Sequence, residues 1–196
     1  MFCALRHRSH RRTPGQRGAV AVEAALITPL LIMLVFAIIE FGFLFKDWLG
    51  VTSAVRAGAR IASAEPRTAS YANDAAAQVA KEGAALKFDS NTLLWVYKAN
   101  AAGYPSGSDY SSCPTTTCIQ YKWNGSGFVV KAGTWDPTSQ NACQGDSGHD
   151  SVGVYLAVKD TSLTGMFFNT MTLRSRTVMS LEPVPATDID VNGCKP

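Results

Sequence analysis

The sequence predicts an α+β protein: a long N-terminal transmembrane helix, a second helix, and an antiparallel sheet of four to five strands with disulfide-bonded loops. Three observations carry that expectation. An uncharged apolar run of 16 residues extends from Ala24 to Ile39. Short alternating or aromatic-rich segments, separated by polar loops, fill the distal half. Four of the five cysteines lie in that same half.

Apart from Glu40, the apolar run continues through Phe45, giving 22 positions. At the α-helical rise this is about 33 Å, enough to cross a hydrocarbon core of about 30 Å. Pro29 falls inside the run, where membrane helices tolerate proline better than soluble ones do. Arg6, Arg8, Arg11, Arg12 and Arg17 precede Ala19 with no acid among them. An excess of arginine on one side of a span places that side in the cytoplasm. The predicted layout is a cytoplasmic leader over 1–18, the transmembrane half of the first helix over 19–45, its extracytoplasmic half over 46–66, and an extracytoplasmic α+β domain over 67–196. At 196 residues, 46% apolar and 17% charged, the chain has room for one compact domain besides the membrane segment.

The net charge of +3 belongs to the leader, because the chain beyond residue 18 carries 13 Lys plus Arg against 15 Asp plus Glu. Nucleic-acid binding requires basic residues clustered on a folded domain, so that partner class is excluded. Cys113, Cys118, Cys143 and Cys194 sit among Ser, Thr, Gly and Asn, a pattern of two disulfides formed in an oxidising compartment. Three connectivities remain open, with free thiols and a metal site as the competing readings. Zinc is disfavoured: Cys113 and Cys118 are five apart, and His149 is the one histidine beyond the leader. No metal ligand set and no cofactor are expected.

The first helix should run from about Ala19 to Ala64, since Gly15, Gln16, Arg17 and Gly18 disfavour a continuous helix before it. Its outer part has a small-residue packing face in Ala54, Ala57, Gly58, Ile61 and Ala62. Glu65 and Pro66 end it, because a residue before proline is pushed out of the helical region. A second helix is expected over Tyr71 to Leu86, with Asn73 or Asp74 near its cap. Strand candidates are Leu93 to Lys98, Cys118 to Trp123, Phe128 to Lys131, Val152 to Lys159 and Thr170 to Leu181, the second and third forming a hairpin around Asn124 to Gly127. Long polar loops should occupy 103–115 and 133–151. Met166, Phe167 and Phe168 are expected to plug the core rather than touch the bilayer, buried aromatics being the commoner case.

Gly18, Ala19, Val20, Ala21, Val22 and Glu23 lead straight into the apolar stretch. This segment resembles the processing site of type IV prepilins and pseudopilins, cleaved between Gly18 and Ala19, with a glutamate at the fifth mature position. On that resemblance Ala19 becomes an amine in or near the membrane and Glu23 neutralises the amine of a neighbouring subunit, since unpaired charge in hydrocarbon is costly. The alternative is an uncleaved anchor whose polar edge Glu23 marks. Over the next 40 residues, AVEAALITPLLIMLVFAIIEFGFLF followed by VTSAVRAGARIASAEP is similar to the TadE family in order and spacing. The similarity rests on Glu23, Pro29, the triplet Glu40, Phe41, Gly42, and Ala54, Arg56, Gly58, Ala59, Arg60. Ala57 departs from it, standing where the family often has an acidic residue. VGVYLAVK, SLTGMFF and TLRSRTVMSLEP continue the likeness, whereas 99–150 matches nothing in it.

The resemblance implies a minor pilin or pseudopilin of the Flp/Tad tight-adherence secretion system rather than an enzyme. It also implies residence in the cytoplasmic membrane, processing by a dedicated prepilin peptidase, and assembly with other Tad pilins and the pilus assembly platform. Glu23, Glu40, Arg56 and Arg60 are then the assembly residues, the arginines sharing one helix face at i and i+4 and facing an acidic partner, lipid headgroups or solvent. A rival reading is an anchored domain that binds an extracellular ligand outside any pilus.

The segment CQGDSG, Cys143 to Gly148, copies the nucleophile motif of trypsin-like proteases. His149 stands two residues after Ser147 and cannot occupy the position of the base, and no second histidine lies beyond the leader. The segment is better explained as a turn beside a disulfide. Secretion as a free protein is disfavoured because the nearest small-x-small site, Ala62 to Ala64, is far beyond the apolar core. Arg11 and Arg12 lack the apolar continuation of a twin-arginine signal.

Overall fold

The computed structural model of the protein describes residues 14–144 and 148–185, with side chains from Gly18 onward. Most of the expected leader, residues 145–147 of the protease-like motif, and Cys194 lie outside the described residues. The chain divides after Phe41 into two units.

Helix α1 covers Pro14–Ala64 and contains Pro29. Its start is a correction to the expectation of Ala19, because Gly15 and Gly18 are helical. Proline is favoured at the first helical position, where its missing N–H would have no partner anyway. Each glycine costs about 1 kcal/mol relative to alanine. A helix already nucleated downstream still gains a hydrogen bond with every residue added. Between Gly18 and Ile39 every side chain except that of Ala37 is exposed, whatever direction it points around the helix.

In the second unit the same helix buries a face. Val51, Ala54, Val55, Ala59 and Ala62 are fully buried in the main core, and of the expected small-residue face Gly58 is also buried, with Ala57 and Ile61 half-buried. Helix α2, Tyr71–Glu82, packs on this face. The approach is close: a Cβ at Gly58 would lie 2.5 Å from Val79 Cγ2 and 3.2 Å from the Ala75 carbonyl oxygen. Ser70 caps α2 without a side-chain bond, whereas Asn73 accepts from the Tyr121 hydroxyl at 3.1 Å. The helix stops at Glu82 rather than Leu86. Gly83 turns the chain under Phe88, and Leu86 is delivered to the core near Gly50.

Five strands follow: β1 Leu93–Ala99, β2 Cys118–Trp123, β3 Phe128–Ala132, β4 Ser151–Thr161 and β5 Thr170–Ser180. They form one antiparallel sheet in the order β3-β2-β1-β4-β5. The β2–β3 hairpin is held by Asn124, whose Oδ1 accepts from the Ser126 and Gly127 amides at 3.0 and 2.9 Å. Alternation assigns the faces. Leu94, Val96, Val152, Val154, Leu156 and Val158 join the helices in the main core, while Trp95, Tyr97, Tyr155 and Ala157 form a second cluster on the opposite face.

The loop expected over 133–151 is present between β3 and β4, with apolar residues that reach the core, while the expectation for the β4–β5 connection is corrected. Within 133–151, Trp135 and Ala142 belong to the core; the Tyr71 ring meets Trp135 edge-on at 5.8 Å and its hydroxyl donates to the Trp135 carbonyl at 3.1 Å. Met166 and Phe167 do not plug the core. They lie in the β4–β5 connection, with Leu163, Met166 and Phe167 exposed by 68%, 56% and 41% and Phe168 half-buried. The valines of β4 and the small residues of α1 belong to the core beneath the sheet, whereas residues 162–169 lie beyond the last β4–β5 pair, Thr161 and Thr170.

Two consequences are measurable on the full chain in detergent. Gly58→Ala forces apart two closely packed helices and should cost about 1–3 kcal/mol, read as a lower thermal midpoint; an unchanged midpoint contradicts the close approach. Burial raises the phenols of Tyr71, Tyr97 and Tyr121 above their ordinary value of about 10. The folded state therefore holds protons that the unfolded state releases. The stability this contributes is fully present below about pH 10 and is lost as pH rises through the folded values. Melts between about pH 8 and about pH 11 should show the midpoint falling only on the alkaline side, and replacing any one of the three by Phe should reduce the fall.

Candidate functional site

Gly18, Ala19 and Glu23 lie on the exposed first part of α1. No atom comes within 4 Å of a Cβ built on Gly18. Around them Val20, Val22, Leu26 and Leu30 are exposed, and exposed apolar residues continue to Phe45, with Trp48 and Leu49 beyond the Lys46–Asp47 ion pair. A helix that is apolar on all sides is stable only where lipid or other helices surround it. Among the described residues one helix, Gly18–Ala64, is long and apolar enough to cross a membrane. Glu40 is only 1% exposed. Arg56 and Arg60 are exposed on one face of α1, and neither pairs with an acid among the described residues.

The cysteines are separate from this helix surface. Cys113 and Cys118 form a disulfide with their Cα atoms 5.4 Å apart, which settles one of the pairings left open by the sequence. Cys143 is also disulfide-bonded, and Cys194 lies outside the described residues. His149 sits with Nε2 3.3 Å from the Cys143 carbonyl oxygen. This contact ties a turn to its neighbour. Ser147 lies outside the described residues.

Sequence reasoning missed a cleft of about 810 Å³ on the sheet face turned away from the helices. Its walls include Tyr104, Tyr110 and Tyr155 together with Arg174 and Arg176 of β5, and Asp109 stands at its rim. Tyr110 stacks on Tyr155 with centroids 4.0 Å apart and planes 8° apart, and the Arg176 guanidinium lies 4.2 Å from the Tyr104 ring centroid. Hydrogen bonds order the group. Arg176 Nη1 donates to the Tyr110 hydroxyl at 3.3 Å, Tyr110 bonds to Tyr97 at 2.8 Å, and Tyr97 donates to the Gly103 carbonyl at 2.9 Å. The Tyr110 hydroxyl also reaches the Gly103 carbonyl, at 3.4 Å, so the two phenols and this carbonyl form one hydrogen-bonded group. Burial raises the Tyr155 phenol as well, while the bond to Tyr110 raises the Arg176 guanidinium. The arginine stays charged.

Tyr97 has room because its cross-strand partner is Gly153, where a Cβ would lie 2.2 Å from Tyr97 Cζ. The sequence did carry a signal for this second covered face. Leu94 to Tyr97 and Val152 to Val158 are continuous apolar or small runs, as expected of strands buried on both sides.

Comparison with known proteins bears on the first helix. Residues 18–60 match the TadE-like protein family. No curated protein and no solved structure matches the chain. The TadE-like segment contains Gly18, Ala19, Glu23, Pro29, Glu40, Arg56 and Arg60, and it ends before α2 and the sheet. The TadE-like helix and the domain that follows it fit a single-pass membrane protein. The cleft lies wholly outside the TadE-like segment.

The Cys113–Cys118 bridge closes a short loop beside the cleft, with Cys118 buried at the start of β2 opposite Tyr97. Loop-closure entropy for so small a ring corresponds to about 2 kcal/mol. Replacing both cysteines by serine should lower the unfolding free energy of the oxidised chain by about 2 kcal/mol, read as a lower denaturation midpoint. A double variant as stable as the parent means that the bridge contributes nothing.

Proposed function

We propose that the protein is a minor pilin or pseudopilin taking part in assembly of a Tad-type pilus or secretion system, anchored by α1 with its N-terminus in the cytoplasm. The match over 18–60, together with the one helix among the described residues long and apolar enough to cross a membrane, supports a Tad-pilus-associated membrane protein. The observation that carries the finer reading is the placement of Gly18, Ala19 and Glu23 at the start of the exposed, largely apolar stretch of α1. Cleavage after Gly18 by a prepilin peptidase leaves a charged amine on Ala19, four residues from the Glu23 carboxylate. In hydrocarbon such a charge requires a partner. Glu23 of one subunit meets the Ala19 amine of the next, which fixes the axial register of assembly, while exposed Arg56 and Arg60 contact acidic groups beyond the bilayer. The domain carries no catalytic role in this reading.

An anchored binding domain outside a pilus is the second reading, and the cleft favours it. The two differ at the N-terminus. Mass spectrometry of the membrane-extracted protein should find a mature chain beginning at Ala19; an intact leader supports the simple anchor instead. In cells that assemble the pilus, Glu23→Ala should leave cleavage and membrane insertion intact while reducing incorporation or pilus number by about tenfold, taking one paired charge as 1–2 kcal/mol. Normal assembly by that variant overturns the pairing role of Glu23.

A further inference from the structure

We propose that the cleft beside β5 binds acidic oligosaccharides, with a sugar carboxylate held by Arg174 and sugar rings resting against the tyrosine wall. This inference does not rest on a role in a pilus, since every group it uses belongs to the domain after α2. The volume of about 810 Å³ lies within the range of ligand sites.

The cleft has an excess of positive charge. Arg174 and Arg176 both face it from alternate positions of β5, opposed by the Asp109 carboxylate. Asp109 is already engaged, accepting from the Ser111 amide at 3.0 Å and from the Ser111 hydroxyl at 2.6 Å, which lowers its pKa. Arg176 is likewise committed to Tyr110 and Tyr104. Arg174 differs. It is exposed, it lines the cleft, and it has no acid partner among the described residues. A guanidinium in this position presents a planar fork that matches a carboxylate with two parallel hydrogen bonds.

The rest of the lining selects a saccharide over a peptide. Leu93 is the one aliphatic side chain among the lining residues, so there is no apolar socket for peptide side chains. Ser108 and Ser111 supply small hydroxyls, and the half-buried Tyr104 and Tyr110 supply the remaining aromatic surface of the lining. Hydroxyls both donate and accept and reorient to suit, as sugar hydroxyls require. The negative face of an aromatic ring attracts the polarised C–H bonds of a sugar ring.

The decisive experiment uses the full chain in nanodiscs of phosphatidylcholine, titrated calorimetrically with α-1,4-linked tetragalacturonate. Maltotetraose serves as the neutral sugar and tetraglutamate as the acidic peptide. Saturable binding of tetragalacturonate at least about tenfold tighter than either comparator is expected, corresponding to one charge-assisted pair together with the ring contacts. Arg174→Gln should weaken tetragalacturonate by about tenfold while leaving the thermal midpoint unchanged, because the side chain is exposed on an edge strand. Tyr104→Ala should weaken both sugars. Absence of tetragalacturonate binding, equal affinity for maltotetraose or tetraglutamate, or full affinity in Arg174→Gln each overturns the proposal.

Discussion

The structure depends on one helix satisfying two different surroundings without interrupting its backbone. Where lipid replaces water, an unpaired amide or carbonyl costs several kcal/mol, so a spanning segment must close its hydrogen bonds within itself. α1 does so from Pro14 to Ala64. Its first part is apolar in every direction, and its last part narrows the apolar surface to a face of alanine, valine and glycine. The change of composition along one element leaves the first part long and apolar enough to cross a membrane and makes the second part a wall of the domain core.

That wall sets the dimensions of the domain. Small residues let α2 approach until Gly58 has no room for a side chain, and the sheet then closes over both helices through valines of β1 and β4. An antiparallel sheet covered on one face normally leaves the other to water. Here the central strands are covered on both faces, and the outer cover is aromatic rather than helical. Gly153 makes this possible, since the Tyr97 ring lies where a side chain would stand. Such an aromatic over a cross-strand glycine restores the packing that the glycine forgoes.

Most of the architecture was legible in the sequence because it is written in local patterns. The apolar run, the Pro66 stop, the Asn124 hairpin and the bounds of β2 follow from residues adjacent in the chain. The errors fall where local pattern is silent. Met166 and Phe167 are apolar, and nothing nearby indicates that they lie beyond the last paired residues of β4 and β5 and stay exposed. Trp135 lies in a polar stretch, and only the distant Tyr71 explains its burial. Gly18, Glu23, Glu40, Arg56 and Arg60 were legible through their order along one helix, within the segment that matches the TadE-like family. The cleft was not, because Tyr110 and Arg176 are 66 positions apart and only the sheet order brings them together.

The cleft wall is nonetheless fixed by short-range chemistry once the sheet exists. Asn100 Oδ1 accepts from the amides of Ala102 and Tyr104, and its Nδ2 donates to the Gly107 carbonyl, so one amide side chain shapes the loop that carries Tyr104. Cys113, bonded to Cys118 on β2, anchors the far end of the same loop to the sheet. Between these anchors, Tyr110 is stacked on Tyr155 and bonded to Tyr97. Each restraint removes freedom that a flexible loop would otherwise lose on meeting a ligand, and that loss is a principal cost of association. A polar segment of 14 residues from Asn100 to Cys113 is thus held as a preformed surface rather than a flexible tether.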